Sequence, residues 1–230
     1  MKNILITGGS SGIGAATAKA LVEKGHQVLI MGRNEEKLKD IAGTSMHYHV
    51  GDVRKIEDCQ AAIEKARAQM GGIDVLINNA GLGYFDPLVS ARLEHWHEMV
   101  DTNIKGILNM IHGCLQEIIS RKGHIINLGS VASHHVFANS GIYCATKHAV
   151  LAIGESLKIE HGKHIRITTI CPGAVNTDFI HVTQNEDLLK EYVPNFEKGL
   201  SPFDIAAQMV HAIEAPAGVN ISEIIIRPGV

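Results

Sequence analysis

Thr7-Gly8-Gly9-Ser10-Ser11-Gly12-Ile13-Gly14 stands between a short apolar run, Asn3 to Thr7, and the first stretch with helical spacing, Gly12 to Lys24. In that stretch Ile13, Ala16, Thr17, Ala20 and Leu21 recur at helical steps, and Gly25 closes it. A strand that runs through glycines into a helix is where a parallel sheet offers an anion site. The free N–H groups and positive dipole end of the helix point at the ligand. Gly8 permits the tight turn, Gly12 lets the backbone approach a pyrophosphate, and Gly14 lets the helix pack closely on the strand.

Outward from this turn the chain alternates. Strands are predicted over His26 to Met31, Met46 to Val50, Ile73 to Asn78, His124 to Leu128, Ile165 to Cys171 and Ser222 to Ile226. Helices are predicted between them over Glu35 to Ile41, Ile56 to Met70, Thr102 to Arg121, Tyr143 to His161 and Pro202 to Glu214. Strands joined by crossover helices imply a parallel sheet, and right-handed crossovers make it doubly wound, with helices on both faces. No linker or repeat divides residues 1–230, so one domain is expected. Residues 177–201 break the alternation. They are polar and irregular, with a short helix near Asp187 to Tyr192, and are expected to form a lid over the site rather than a plain insertion.

Composition agrees with this architecture and excludes others. Hydrophobic residues make up 45% of the chain and aromatics only 4%, so the core must be aliphatic, as a buried parallel sheet requires. The formal net charge of -3, with acids and bases interleaved, argues against a nucleic-acid partner or a charged membrane surface. No window approaches the ~20 apolar residues of a membrane span, and MKNILITGG lacks the apolar core of a signal peptide. Cys59, Cys114, Cys144 and Cys171 are far apart and form no CxxC pair, which predicts free thiols in a reducing, cytoplasmic setting.

The end of the second strand selects the dinucleotide. An acid there would bond a ribose 2′-OH, whereas an arginine accommodates a 2′-phosphate. The sequence has Gly32-Arg33-Asn34, and Glu35 and Glu36 come too late in the turn. A forked guanidinium at Arg33 favours NADP(H) over NAD(H).

The glycines fall as Gly-x3-Gly-x-Gly, which resembles the TGxxxGIG turn of short-chain dehydrogenases/reductases. Further marks follow in order: Asp52-Val53, Asn78-Asn79-Ala80-Gly81, Asn103, Ser130, the pair Tyr143-x3-Lys147, and Pro172-Gly173-Ala174-Val175-Asn176-Thr177. The ordered set spans essentially the whole chain. The resemblance implies a single-domain Rossmann-type sheet of about seven strands. It implies an oxidoreductase that moves a hydride between NADP(H) and a small carbonyl or secondary-alcohol substrate. The implied catalytic residues are Asn103, Ser130, Tyr143 and Lys147. The implied cofactor set is Gly8, Ser10, Ser11, Gly12, Ile13 and Gly14 at the turn, Arg33 and Asn34, Asp52 and Val53 at the adenine, Asn79, Ala80 and Gly81, Tyr143 and Lys147, and Pro172, Gly173, Val175 and Thr177 at the nicotinamide. Two positions depart from the pattern. Ser11 stands where many NADP enzymes of the family carry a second basic residue, and Gly129 stands where many carry a second serine.

The chemistry of these types is coherent by itself. Carbonyl reduction needs a proton for the nascent alkoxide, and tyrosine is a poor acid at pH 7. Tyr143 and Lys147 are four apart on a predicted helix and so share a face, where an ammonium would stabilise the phenolate and lower its pKa. Ser130 can donate to the substrate oxygen. Asn103 resembles the residue that anchors a proton-relaying water. Rival expectations are an NADP(H)-binding redox sensor without turnover and an epimerase that retains its nicotinamide.

The remaining features are weaker. His95 and His97 are read as surface residues and no metal site is expected, because two residues apart on a helix they diverge. His134, His135, Phe137 and Asn139 are expected to rim the substrate pocket, walled also by residues 82–87 and 177–200. The ending Asn220 to Pro228 resembles bacterial members acting on serine-like or 3-hydroxy acids. The helices over Thr102 to Arg121 and Tyr143 to His161 predict a homo-oligomer, a tetramer or dimer.

Overall fold

The computed structural model describes residues 1–216 and 218–229. Seven strands form one sheet: β1 (Asn3–Thr7), β2 (Gln27–Gly32), β3 (His47–Val50), β4 (Val75–Asn78), β5 (His124–Leu128), β6 (Arg166–Pro172) and β7 (Glu223–Ile226). Their order is β3-β2-β1-β4-β5-β6-β7 and every pairing is parallel. The helices are α1 (Gly12–Glu23), α2 (Glu35–Ala42), α3 (Ile56–Met70), α4 (Leu93–Val100), α5 (Gly106–Ser120), α6 (Gly141–His161), α7 (Glu186–Glu197) and α8 (Pro202–Glu214).

Strands β1, β2, β4, β5 and β6 are buried on both faces, and their period of two assigns each side chain to one helical layer. Leu5, Leu76 and Ile125 pack with α3, α5 and α6. Ile4, Ile6, Val75, Ile77 and Ile126 pack with α1, α2 and α8. This is the doubly wound α/β fold expected. Because all strands run one way, their carboxyl ends share one edge. Strand order reverses beside β1, so the loops after β1 and β4 diverge and leave a crevice there.

Two segments differ from the sequence expectation. The helix expected over Thr102 to Arg121 begins earlier, in α4, and passes through a π-turn, Asp101–Lys105, before α5. The periodicity concealed α4 because one of its buried positions is a histidine, His95. The π-turn widens the helix so that the Gly106 N–H reaches Asp101 O. It carries Asn103 inward, and a Cβ at Gly106 would lie 2.7 Å from Val53 Cγ2. The second difference is the stretch 177–201, which is more regular than expected. A 3-10 turn, Asp178–Val182, is followed by α7. Asn185 caps α7 by accepting from Leu188 N at 3.2 Å, with Glu186 and Asp187 in the first turn. Leu188, Tyr192 and Phe196, four apart, turn one face inward, which carries the helix past Pro194.

Candidate active site

The carboxyl edge of the sheet holds a crevice of about 910 Å³ that runs from the glycine turn to α7. At one end the wall is backbone. Gly8 has φ +67 and Gly12 φ +51, left-handed values that glycine takes without strain. A Cβ at Gly14 would lie 2.3 Å from Gly8 O and 2.5 Å from Asn79 Nδ2, so only hydrogen fits. Ser11 precedes α1 without a side-chain cap, which leaves the first-turn N–H groups free toward the crevice. Asn79 locks the β4 turn onto the glycine turn. Its Nδ2 donates to Thr7 O at 2.8 Å and to Gly8 O at 3.0 Å. Thr7 Oγ1 in turn accepts from Asn79 N and Ala80 N, each at 3.1 Å. Uncapped N–H groups beside a cradle that excludes any Cβ are the donor set a pyrophosphate requires, so these residues fit a dinucleotide.

Farther along, Arg33 lines the crevice and lies 3.9 Å from Glu98. Lys37, which the sequence reading did not single out, lines the same end from α2. Its signal was available: it follows Arg33 by four residues. Asn34 instead caps α2, accepting from Lys37 N at 2.9 Å, and does not line the crevice. Asp52 and Val53 do line it. Burial pushes the Asp52 carboxyl up, but the bonds and charge of Arg54, 2.6 Å away, outweigh it and leave the group below its usual range.

At the other end Ser130, Tyr143 and Lys147 line one wall together. Ser130 follows β5 and caps the 3-10 turn Val131–Ser133, its Oγ accepting from Ala132 N at 3.1 Å. Tyr143 and Lys147 are buried one turn apart on α6. Burial raises the Tyr143 phenol above its ordinary value, and the Ser130 hydroxyl facing it pulls it partly back. Burial lowers Lys147 to about 8. The lysine does not lower the tyrosine as the spacing suggested. Lys147 Nζ donates to Leu128 O at 2.7 Å and stands 5.9 Å from the phenol ring centre, so desolvation dominates both groups.

Asn103 sits behind this wall rather than on it. Its Oδ1 accepts from Leu82 N at 2.9 Å, and its Nδ2 donates to Leu82 O at 2.8 Å and to Thr146 Oγ1 at 3.0 Å. A Cβ at Gly81 would lie 3.2 Å from Asn103 Oδ1 and 3.6 Å from Lys147 Nζ, so both side chains approach that glycine. Of the loop after β6, Gly173, Val175 and Thr177 line the crevice, whereas Pro172 is buried in the strand. Ser10, Ser11, Ile13, Ala80 and Gly81 line it as well, and Gly14 stands behind.

Gly129 has a local cause. A Cβ there would meet Cys171 Sγ at 2.8 Å, so the thiol fills the space a second serine would need. Cys171 donates to Glu223 Oε1 at 3.2 Å, and the same oxygen is 2.5 Å from His134 Nε2. The three far-separated residues thus form a hydrogen-bonded cluster that turns His134 away from the crevice. Phe137 lines the crevice, whereas Asn139 donates to Tyr192 Oη at 3.2 Å outside it and His135 lies against Phe137. His97 is exposed as expected, but His95 is not. His95 is buried in α4 and stacks on Tyr84 with ring centres 3.8 Å apart, because a flat ring there fills the space under the loop after β4.

The fold is doubly wound α/β with a crevice that fits a dinucleotide, and the comparisons with known proteins give the class. The family model described as short chain dehydrogenase matches residues 2–187. The chain is 40% identical to an uncharacterised oxidoreductase of Staphylococcus saprophyticus, covering 99% of this chain and 96% of that one. Among solved structures it is similar to the closed form of a serine dehydrogenase complexed with NADP+, with 34% identity, TM-score 0.86, and coverage of 98% of this chain and 94% of the other. It is also similar to an alcohol dehydrogenase of Thermococcus sibiricus complexed with 5-hydroxy-NADP, with 28% identity, TM-score 0.87, and 98% and 96% coverage. The chain belongs to the short-chain dehydrogenase family and is an oxidoreductase of that family. No helix among the described residues is long and apolar enough to cross a membrane.

Proposed function

We propose that the protein interconverts a carbonyl and a secondary alcohol with NADP(H), using Tyr143 as general acid and base. One observation carries this reading. A buried phenol, a buried ammonium and a serine hydroxyl line one wall of a crevice whose far end is an uncapped helix N-terminus. The bound nicotinamide supplies or accepts the hydride. Ser130 Oγ donates to the substrate oxygen and fixes it beside Tyr143. The Tyr143 phenol gives that oxygen its proton in reduction and takes it back in oxidation. Lys147 holds positive charge beneath the phenol and would hold the nicotinamide ribose. Asn103 acts through position, fixing the loop after β4 against α6 beside Lys147.

The preference for NADP(H) is supported by Arg33 and Lys37 at the same end of the crevice with no acid at the tip of β2. It is supported also by the NADP complexes of the similar structures. Leu108 on α5 and Ile159 on α6 are exposed, which supports a homo-oligomer built on these helices. Four free buried cysteines support a cytoplasmic setting.

NADPH oxidation at 340 nm across a panel of aldehydes and ketones tests the reading. Turnover is expected in the natural protein and not in Tyr143→Phe. Tight NADPH binding with no turnover on any carbonyl would identify a redox sensor instead.

A further inference from the structure

Within the proposed oxidoreductase reading, we propose that the substrate is an uncharged carbonyl compound or secondary alcohol carrying a ring, and that the site rejects free carboxylates. Aromatic residues are scarce in this chain, yet seven of its ten line this one crevice. They arrive from separate elements: the loop after β4, the loop after Ser130, α6, the 3-10 turn and α7. Phe85 is their centre. Its ring lies 5.7 Å from Tyr143, 6.2 Å from Phe179, 5.8 Å from Tyr192 and 6.4 Å from Phe196. Tyr143 and Phe179 are themselves 5.5 Å apart. The proton donor is therefore one member of an aromatic box. A ring attached to the reacting carbon would pack edge or face against these walls.

Charge points the same way. Among the described residues the basic side chains that line the crevice are Arg33, Lys37 and Lys147. The first two belong to the nucleotide end, near the tip of β2. Lys147 donates to Leu128 O and, in the reading above, holds the nicotinamide ribose. The acidic lining residues are no help to an anion. Glu98 is bonded to Tyr84 and Arg54, and Asp178 would repel a carboxylate. A carboxylate placed in the aromatic box would lose its water and gain no counter-charge. The segment that resembles proteins acting on serine-like or 3-hydroxy acids, Asn220 to Pro228, contributes nothing to this crevice. Its Glu223 is turned instead to His134 and Cys171. His134, the histidine nearest Ser130 in sequence, is thereby withdrawn as an anion partner.

The test is a matched pair given to the enzyme loaded with NADPH: methyl 4-acetylbenzoate and 4-acetylbenzoate, which differ in one charge. Reduction of the ester is expected to exceed that of the acid by roughly 100-fold in kcat/KM. In the oxidative direction 1-phenylethanol is expected to outrun serine and 3-hydroxybutyrate. Tyr192→Ala and Phe196→Ala should each cut the preference for acetophenone over acetone by roughly tenfold, mainly through KM. Equal or faster turnover of the acid, or of serine, would overturn the proposal. Binding is read separately by quenching of NADPH fluorescence. If the ester binds more tightly than the acid yet neither is reduced, the aromatic box stands and the dehydrogenase reading falls. If the acid binds as tightly as the ester, the box proposal falls whatever the turnover.

Discussion

The two ends of the crevice are built from different material. Around the glycine turn the wall is mostly main chain: left-handed glycines, free helix N–H groups, and an asparagine that ties two turns together, with Arg33 and Lys37 beyond it. At the substrate end the wall is side chains, aromatic rings brought by α7 and the loops onto a buried tyrosine. Main-chain geometry tolerates no added atom but reads only the shape and charge of a phosphate. Aromatic side chains can be exchanged one at a time, and each exchange alters which ring or chain fits. The contrast implies a fixed cofactor end and an adjustable substrate end on one sheet edge.

Tyr143→Phe should separate the ends most sharply. Loss of the proton donor is expected to reduce kcat/KM by about 10³-fold, while NADPH affinity, read by fluorescence titration, stays within about threefold. Loss of both together would mean that the two ends are not independent. Gly14→Ala is the reciprocal change. Its new methyl collides with Gly8 O, so a loss of about 1–3 kcal/mol of stability is expected, with a fall in Tm by calorimetry and weakened NADPH binding. An unaltered Tm would show that the turn can yield.

A smaller effect is expected from Arg33→Ala. Removing one charged phosphate contact should weaken NADPH by roughly 10- to 30-fold and leave NADH nearly unchanged. Equal loss for both dinucleotides would place the guanidinium away from the 2′-phosphate. The smallest effect is in pH dependence. Lys147 sits near 8, below its free value of 10.5, so its ammonium is lost as pH rises through 8. Reduction should therefore decline gradually above pH 8. Stability has the opposite sign. The unfolded chain binds the extra proton between pH 8 and 10.5, so this residue's contribution to stability rises across that window. Lys147→Met should remove both trends, read by kcat/KM and Tm against pH.

Much of this molecule was legible in the chain. Ile4, Leu5 and Ile6 between a polar start and Gly8 could only be a buried strand, and the glycine spacing placed the helix behind it. Tyr143 and Lys147 could be paired because four residues is one helical turn. Other features were hidden because their cause lies in distant residues. His95 reads as polar but fills a stack on Tyr84. Asn103 reads as part of the first turn of a helix, but the π-turn and the Leu82 backbone take it inward. The helix expected near Asp187 to Tyr192 runs on to Glu197, because the inward face of Leu188, Tyr192 and Phe196 carries α7 past Pro194.

The local sequence by itself determined the alternation of strands and helices, the glycine turn, and the choice of phenol, ammonium and hydroxyl, because these follow from short-range periodicity and the chemistry of residue types. Only the tertiary structure decided that desolvation, not the neighbouring lysine, governs the tyrosine. It alone decided that Glu223 takes His134 out of the site, and that the chain's few aromatic rings meet in one place. Those outcomes depend on which surfaces exclude water together, and the packing of elements distant in sequence sets that.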